Sequence, residues 1–246
     1  FKESPIDSRP FIILARSGGK IVGQYACISL WLKYQDKLVK ALQPVDNFVY
    51  NDYRGGVKGV QAKLMQKSNE TAVENGVAVG FGFPNRTGYI IGKRLFNHKD
   101  LIKIEVLFKR LSWRSALKRR VKWRFLVNFA GWISSLVIRF FLAIKGKSVS
   151  RVKYTWVSTF DESINLFWEK VKDQYAIMVQ RDFVYLNWRY CRKPDNTYHI
   201  LRAELDGSIV GLVIVKYEDY KDARIGFIME SLAIKDSPVI DSLLKR

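Results

Sequence analysis

Between Val106 and Phe160 the sequence contains no aspartate or glutamate, although residues 109–153 carry thirteen lysines and arginines. The basicity is local. Residues 1–108 hold 16 basic and 9 acidic side chains and residues 154–246 hold 13 and 14, so most of the formal charge of +19 comes from the middle of the chain. Such a stretch steers polyanions toward itself, whether lipid headgroups, nucleic acid or an acidic ligand. Cysteine is scarce: Cys27 and Cys191 offer neither a disulfide framework nor metal-ligand spacing, and both read as buried thiols. The two histidines, His98 and His199, are isolated, which leaves no partners with which to assemble a histidine-based triad. The opening FKESPIDSRP is polar and does not read as a secretory signal. What is abundant is apolar and aromatic surface, 48% and 14% of residues, which excludes disorder and suffices for one or two cores.

The acid-free stretch includes FLVNFAGWISSLVIRFFLAI, residues 125–144, flanked by basic residues on both sides. Twenty residues are just long enough to cross a bilayer. Arg124, Asn128, Ser135 and Arg139, however, recur at spacings of four, seven and four, which at ~100° per residue gives one narrow polar stripe. A spanning helix has no use for a stripe, whereas a helix packed between domains or lying in an interface does. Residues 109–153 therefore read as a basic amphipathic helical linker. Its segment 109–147 is expected to pack between domains or to contact an anionic membrane surface, with nucleic acid the lesser expectation.

Residues 41–67, ALQPVDNFVYNDYRGGVKGVQAKLMQK, read as a buried strand, a glycine turn and a helix. Val45, Phe48 and Val49 form the apolar run, Asn51 and Asp52 break it, and Gly55, Gly56 and Gly59 allow a bend where a Cβ would clash. The helix carries Val60, Leu64 and Met65 on one face. Its first N–H groups then point outward at the positive end of a helix dipole, an arrangement suited to pyrophosphate.

The surroundings extend the pattern. FIILAR, the turn SGGK, IVGQYACISLWLKY, the cradle, VAVGFGFPN and a helix from about Arg86 to Leu95 follow in order. Over roughly residues 10–110 this order, with DYRG and GFPN linked, resembles the GNAT superfamily of N-acyltransferases. The resemblance implies an α/β fold, a GNAT-like mixed sheet flanked by helices, with acetyl-CoA or another acyl-CoA as donor. It implies that Val49, Arg54, Gly55, Gly56, Lys58, Gly59, Val60, Gln61 and Asn85 hold the donor, its pantetheine arm lying where the strands carrying 45–50 and 77–83 splay. Arg-Gly-Gly-Val-Lys-Gly is two residues longer than the family's common loop. Asp46 is implied to orient the amine or relay its proton. A tyrosine acid common among relatives falls at Gly92, so Tyr89, three residues earlier, is the substitute.

Gly19-Lys20-Ile21-Val22-Gly23 recurs as Gly207-Ser208-Ile209-Val210-Gly211, each between apolar strands. The second copy is preceded by two helix-like stretches, FDESINLFWEKVKDQYAIMVQ and RDFVYLNWRYCRKP, in which Tyr185, Trp188 and Tyr190 read as a core face. No glycine turn with an arginine follows ESLAIKD. The expectation is a tandem: residues 1–108 a GNAT-like acyl-CoA-binding unit lacking the usual N-terminal helices, 109–153 the linker, and 154–246 a second, incomplete unit, the whole a fragment of a longer cytoplasmic protein peripheral to the inner face of the membrane. The activity implied is acetyl transfer to the amine of a small molecule or peptide. Two alternatives stay open. One is a tandem FemX-like transferase taking an aminoacyl group from tRNA, and the other a non-catalytic scaffold binding an anionic membrane or partner.

Overall fold

A computed structural model describes residues 4–7, 9–103, 151–194, 197–220, 223–235, 239 and 243. The basic amphipathic stretch expected to contact a membrane lies outside the described residues, apart from its last few positions. Among those described, no helix is long and apolar enough to cross a membrane. The chain forms two compact units, residues 1–104 with 175–188, and residues 105–174 with 189–246.

The first unit is built on a hairpin. Strand β1 (Phe11–Ser17) turns through Gly18 and Gly19, both at positive φ, into β2 (Lys20–Tyr34). Two successive positive-φ residues match the right-handed twist of the flanking strands, which is why two glycines stand there. A second turn with Gln35 at positive φ leads into β3 (Lys37–Val49), antiparallel to β2. Helix α1 (Val60–Glu74) returns the chain to β4 (Val79–Gly80), parallel to β3, and α2 (Arg86–Phe96) follows. Helix α1 buries Leu64 and Met65 beside Tyr25, Cys27, Leu42 and Val49 of the sheet, while Ile91 reaches the same core from α2. Full burial of such a side chain contributes about 1.5–3 kcal/mol. The sheet is completed by β6 (Ile177–Val179), which pairs antiparallel with Leu32–Tyr34 of β2.

The second unit has an antiparallel sheet in the order β5 (Val152–Val157), β7 (Tyr198–Leu205), β8 (Ser208–Tyr220), β9 (Ala223–Ala233). Helix α3 (Ser163–Val171) buries Ile164, Phe167, Trp168 and Val171. The helix expected to run on to Gln180 instead ends in a short 3-10 turn at Gln174. Ile177–Val179 then offers three apolar residues to an unpaired edge of β2, and strand pairing there outweighs continuation of the helix. Helix α4 (Phe183–Leu186) passes into a π-helical turn over Asn187–Cys191. Of the aromatic residues expected as one core face, only Tyr190 is fully buried; Tyr185 and Trp188 are half-buried.

The repeated pentapeptide marks a deeper correspondence. Ala15 pairs with Gly23 and Ala203 with Gly211, and each hairpin has a register shift immediately after that alanine. Asp206 and Gly207 take positive φ as Gly18 and Gly19 do. Tyr50 N–H donates to Val22 O at 3.0 Å, and Ile234 N–H to Val210 O at 3.1 Å. A Cβ on Gly23 would meet Val60 and Leu64 at 3.2 and 3.1 Å; one on Gly211 would meet Val239 and Leu243, both at 3.0 Å. Each central glycine thus lets a helical valine–leucine pair four residues apart approach its hairpin. Nine residues separate Tyr50 from Val60 but only four separate Ile234 from Val239, with no glycine among the four. Helical residues Val239 and Leu243 stand against Gly211 as Val60 and Leu64 of α1 stand against Gly23.

Gly23→Val should therefore overpack the α1 contact and lower unfolding stability by about 1–3 kcal/mol. Urea denaturation checks this, and an unchanged midpoint would contradict the close approach.

Candidate functional site

The site begins where the first sheet opens. Ala78 N–H donates to Lys40 O at 2.9 Å and Phe81 N–H to Leu42 O at 3.0 Å, so alternate residues of β3 face β4. The next in that series is Pro44, which has no N–H to give. Its ring instead lies against Gly82, where a Cβ would be 3.4 Å from Pro44 Cδ. The parallel ladder ends there and β4 stops at Gly80.

A bulge follows at once. Asp46 adopts φ 49° and the β2–β3 register shifts between Gln24 and Ala26. Side chains replace the lost ladder bonds: Ala26 N–H donates to Asn47 Oδ1 at 2.7 Å, and Gln24 Nε2 to Asp46 O at 3.1 Å. The bulge exchanges which residues face outward. Since Tyr50 N–H donates back to Val22, the N–H and C=O of Val49 face the open edge. Arg54 Nε donates to that carbonyl at 2.9 Å, and the Val49 N–H remains directed into the opening. The Asp46 side chain is exposed at the bulge.

Beyond β3 two short 3-10 turns, Asn51–Tyr53 and Gly56–Lys58, lead to α1. Gly55 and Gly59 lie backbone against backbone, for a Cβ on Gly59 would sit 2.7 Å from Gly55 Cα. Gly56 takes φ +57° with open space around it. Gly59 is the N-cap of α1 and has no side chain with which to cap. The first intrahelical bond is Lys63 N–H to Gly59 O, so the N–H groups of Val60, Gln61 and Ala62 have no acceptor within the helix. Helix α2 is treated differently: Asn85 Oδ1 accepts from Gly88 N–H at 2.9 Å. An ordinary cap closes one helix while the other is left with free donors. Lys58 and Arg54 stand exposed beside them, with Asp52 the nearby acid.

Between the cradle and α2 lies a cleft of about 410 Å³ lined by Gly55, Gly56, Thr87, Ile90, Ile91 and Arg94. The last three α2 positions named were not singled out by motif. Their signal is the spacing of 87, 90, 91 and 94, one face of a helix. A smaller cleft of about 190 Å³, lined by Trp31, Leu38, Asp182 and Tyr185 among others, touches no cradle residue.

Tyr89 and Asp46 play different local parts. The Tyr89 hydroxyl donates to Asp100 at 3.2 Å, and Lys93 both pairs with Asp100 at 2.9 Å and lies over the Tyr89 ring. The Lys93 ammonium, aided by Tyr89, holds the Asp100 carboxyl below its usual range. At Gly92 the His98 ring fills the space, since a Cβ there would meet His98 Cε1 at 3.0 Å. Burial pushes the Cys27 thiol up to about 12, which removes it as a nucleophile. No group of three metal-ligating side chains exists among the described residues.

Residues 1–93 match the family model described as an acetyltransferase (GNAT) domain. Solved structures share the fold over nearly all of the chain. A conserved protein of Enterococcus faecalis V583, described as a probable N-acyltransferase, is 13% identical over 98% of this chain and 52% of its own, with a TM-score of 0.57. A GCN5-related N-acetyltransferase from Anabaena variabilis ATCC 29413 is 13% identical over 95% and 51%, with a TM-score of 0.56. N-myristoyltransferase of Saccharomyces cerevisiae with bound myristoyl-CoA is 12% identical over 89% and 49%, with a TM-score of 0.50. No curated protein matches the sequence. The chain spans about half the length of these solved relatives, and at such identities the likeness is one of fold. The chain therefore has the GNAT fold, and its residues 1–93 are similar to a GNAT acetyltransferase domain.

If Cys27 is sealed in the core, it should resist thiol reagents in the native protein at pH 8 and react once denatured. Native labelling at the rate of a free thiol would contradict the burial.

Proposed function

We propose that the chain is an acyl-CoA-dependent N-acyltransferase that moves an acetyl group from acetyl-CoA to an amine, with the donor held by the first unit. The observation that carries this is an uncapped helix start beside an unpaired strand edge. A pyrophosphate needs several free N–H donors, and Val60, Gln61 and Ala62 supply them at the positive end of α1. The pantetheine arm carries amides that can bond to a strand edge, and β3 beyond Pro44 offers one.

In the reaction the amine attacks the thioester carbonyl, the C–S bond breaks, the thiolate of CoA leaves and the amine loses a proton. The Val49 N–H on the open edge is a fixed donor for the oxygen that gains charge. Asp46, exposed at the bulge, orients the incoming amine and relays its proton. Tyr89 is the candidate to protonate the leaving thiolate and would give up its bond to Asp100 to do so. The match over residues 1–93 favours this reading over a tRNA-dependent transferase, because that domain is described as an acetyltransferase.

We also assign one donor to each chain. The second unit repeats the hairpin and helix contact of the first, but its connecting loop is five residues shorter and lacks glycine, which leaves little backbone for a cradle.

Titration calorimetry with acetyl-CoA should give one site per chain. Gly59→Ala, by driving Gly55 away, should weaken binding by about tenfold or more, the loss expected when charge-assisted bonds worth about 1.5–3 kcal/mol are removed. Wild-type affinity in a folded Gly59→Ala variant would reduce the loop to an ordinary connection.

Asp46→Asn and Tyr89→Phe should each lower kcat by about 10²-fold, the scale of general acid–base assistance, with donor affinity unchanged. Full turnover in both variants would route the proton through water instead.

A further inference from the structure

The donor reading leaves unexplained the cleft between the cradle and α2. Its volume, about 410 Å³, lies within the ~300–1,000 Å³ of small-molecule sites. One wall is the glycine backbone at Gly55 and Gly56, in the loop that leads to α1. The other is a single face of α2, on which Thr87, Ile90, Ile91 and Arg94 stand at spacings of three, four and seven. On most helices such a face is buried against a neighbour. Here Ile91 enters the core, but Ile90 is 36% exposed and Thr87 and Arg94 are open to solvent.

Arg94 stands apart from the charges around it. Lys93, its neighbour in sequence, is committed to Asp100. Arg94 makes no ion pair among the described residues, although it lines a concave wall opposite backbone donors. A guanidinium in that position is a planar two-pronged donor suited to a phosphate monoester.

Resting on the donor reading above, the geometry points to Arg94 as the residue that binds the 3′-phosphate of coenzyme A, with Thr87 as a second donor and Ile90 as the apolar floor under the adenine. The cradle takes the diphosphate, which every CoA-like donor has. The α2 wall takes the monoester, which dephospho-CoA lacks. Arg94 is thus a specificity-determining residue that chooses between these two donors and has no part in acyl transfer.

The test compares CoA with dephospho-CoA by titration calorimetry on the wild-type chain and on Arg94→Gln. Because Arg94 is at the surface, folding of the variant is checked by its unchanged circular dichroism and melting temperature. Wild type should prefer CoA by about 10- to 100-fold, the ratio that a charge-assisted bond worth about 1.5–3 kcal/mol provides. Arg94→Gln should lose that preference by weakening CoA alone, with dephospho-CoA affinity held within about twofold, and Arg94→Lys should restore part of the difference. Equal loss for both ligands, or no loss for either, overturns the assignment while the donor reading stands. Failure of wild type to bind either ligand overturns the donor reading and the assignment with it.

Discussion

The sheet of the first unit opens because one strand residue has no amide hydrogen to give. Pro44 stands where β3 should pass its next bond to β4, and without that bond the two strands part. The open strand edge of the site depends on this missing donor. The bulge at Asp46 turns the Val49 amide toward the opening, and the opening leads to the uncapped start of α1. A closed sheet would have spent the Val49 amide on its own ladder.

Much of this arrangement is legible in the chain. Strand, glycine turn and helix follow in order in residues 41–67, and the Gly-Gly and Asp-Gly turns announce the two hairpins. Both signals are local and depend on backbone freedom that few residues besides glycine provide. The bulge is not legible. Asp46 and Asn47 look like ordinary polar interruptions of a strand until the register shift and the bond from Ala26 N–H to Asn47 give them a structural task. Arg94 is hidden for a similar reason, since an arginine late in a helix reads as a dipole partner and only the packing of α2 beside the cradle makes it the wall of a cleft.

The two units show how a common frame can be kept while the loop it carries changes in length. Gly23 and Gly211 each admit a valine and a leucine from a helix, and the strand leading to that helix bonds back to the hairpin at the same point. Packing fixes these features because a side chain on either glycine has nowhere to go. The loop between strand and helix lies outside that constraint. Five residues more or fewer cost the core little.

Strand β6 has a consequence for how the protein is made. Residues 32–34 of β2 pair with residues 177–179, so the sheet that carries the cradle is complete only after most of the chain has left the ribosome. Until then that stretch of β2 presents an unpaired edge, the kind that invites pairing with another chain. Bond formation between such distant residues is also intrinsically slow. The first unit, although most of it lies within the first 104 residues, therefore cannot finish folding until residues 175–188 have been made. A chain halted before residue 175 would present an incomplete sheet to the chaperones of the cell, whatever the quality of its N-terminal half.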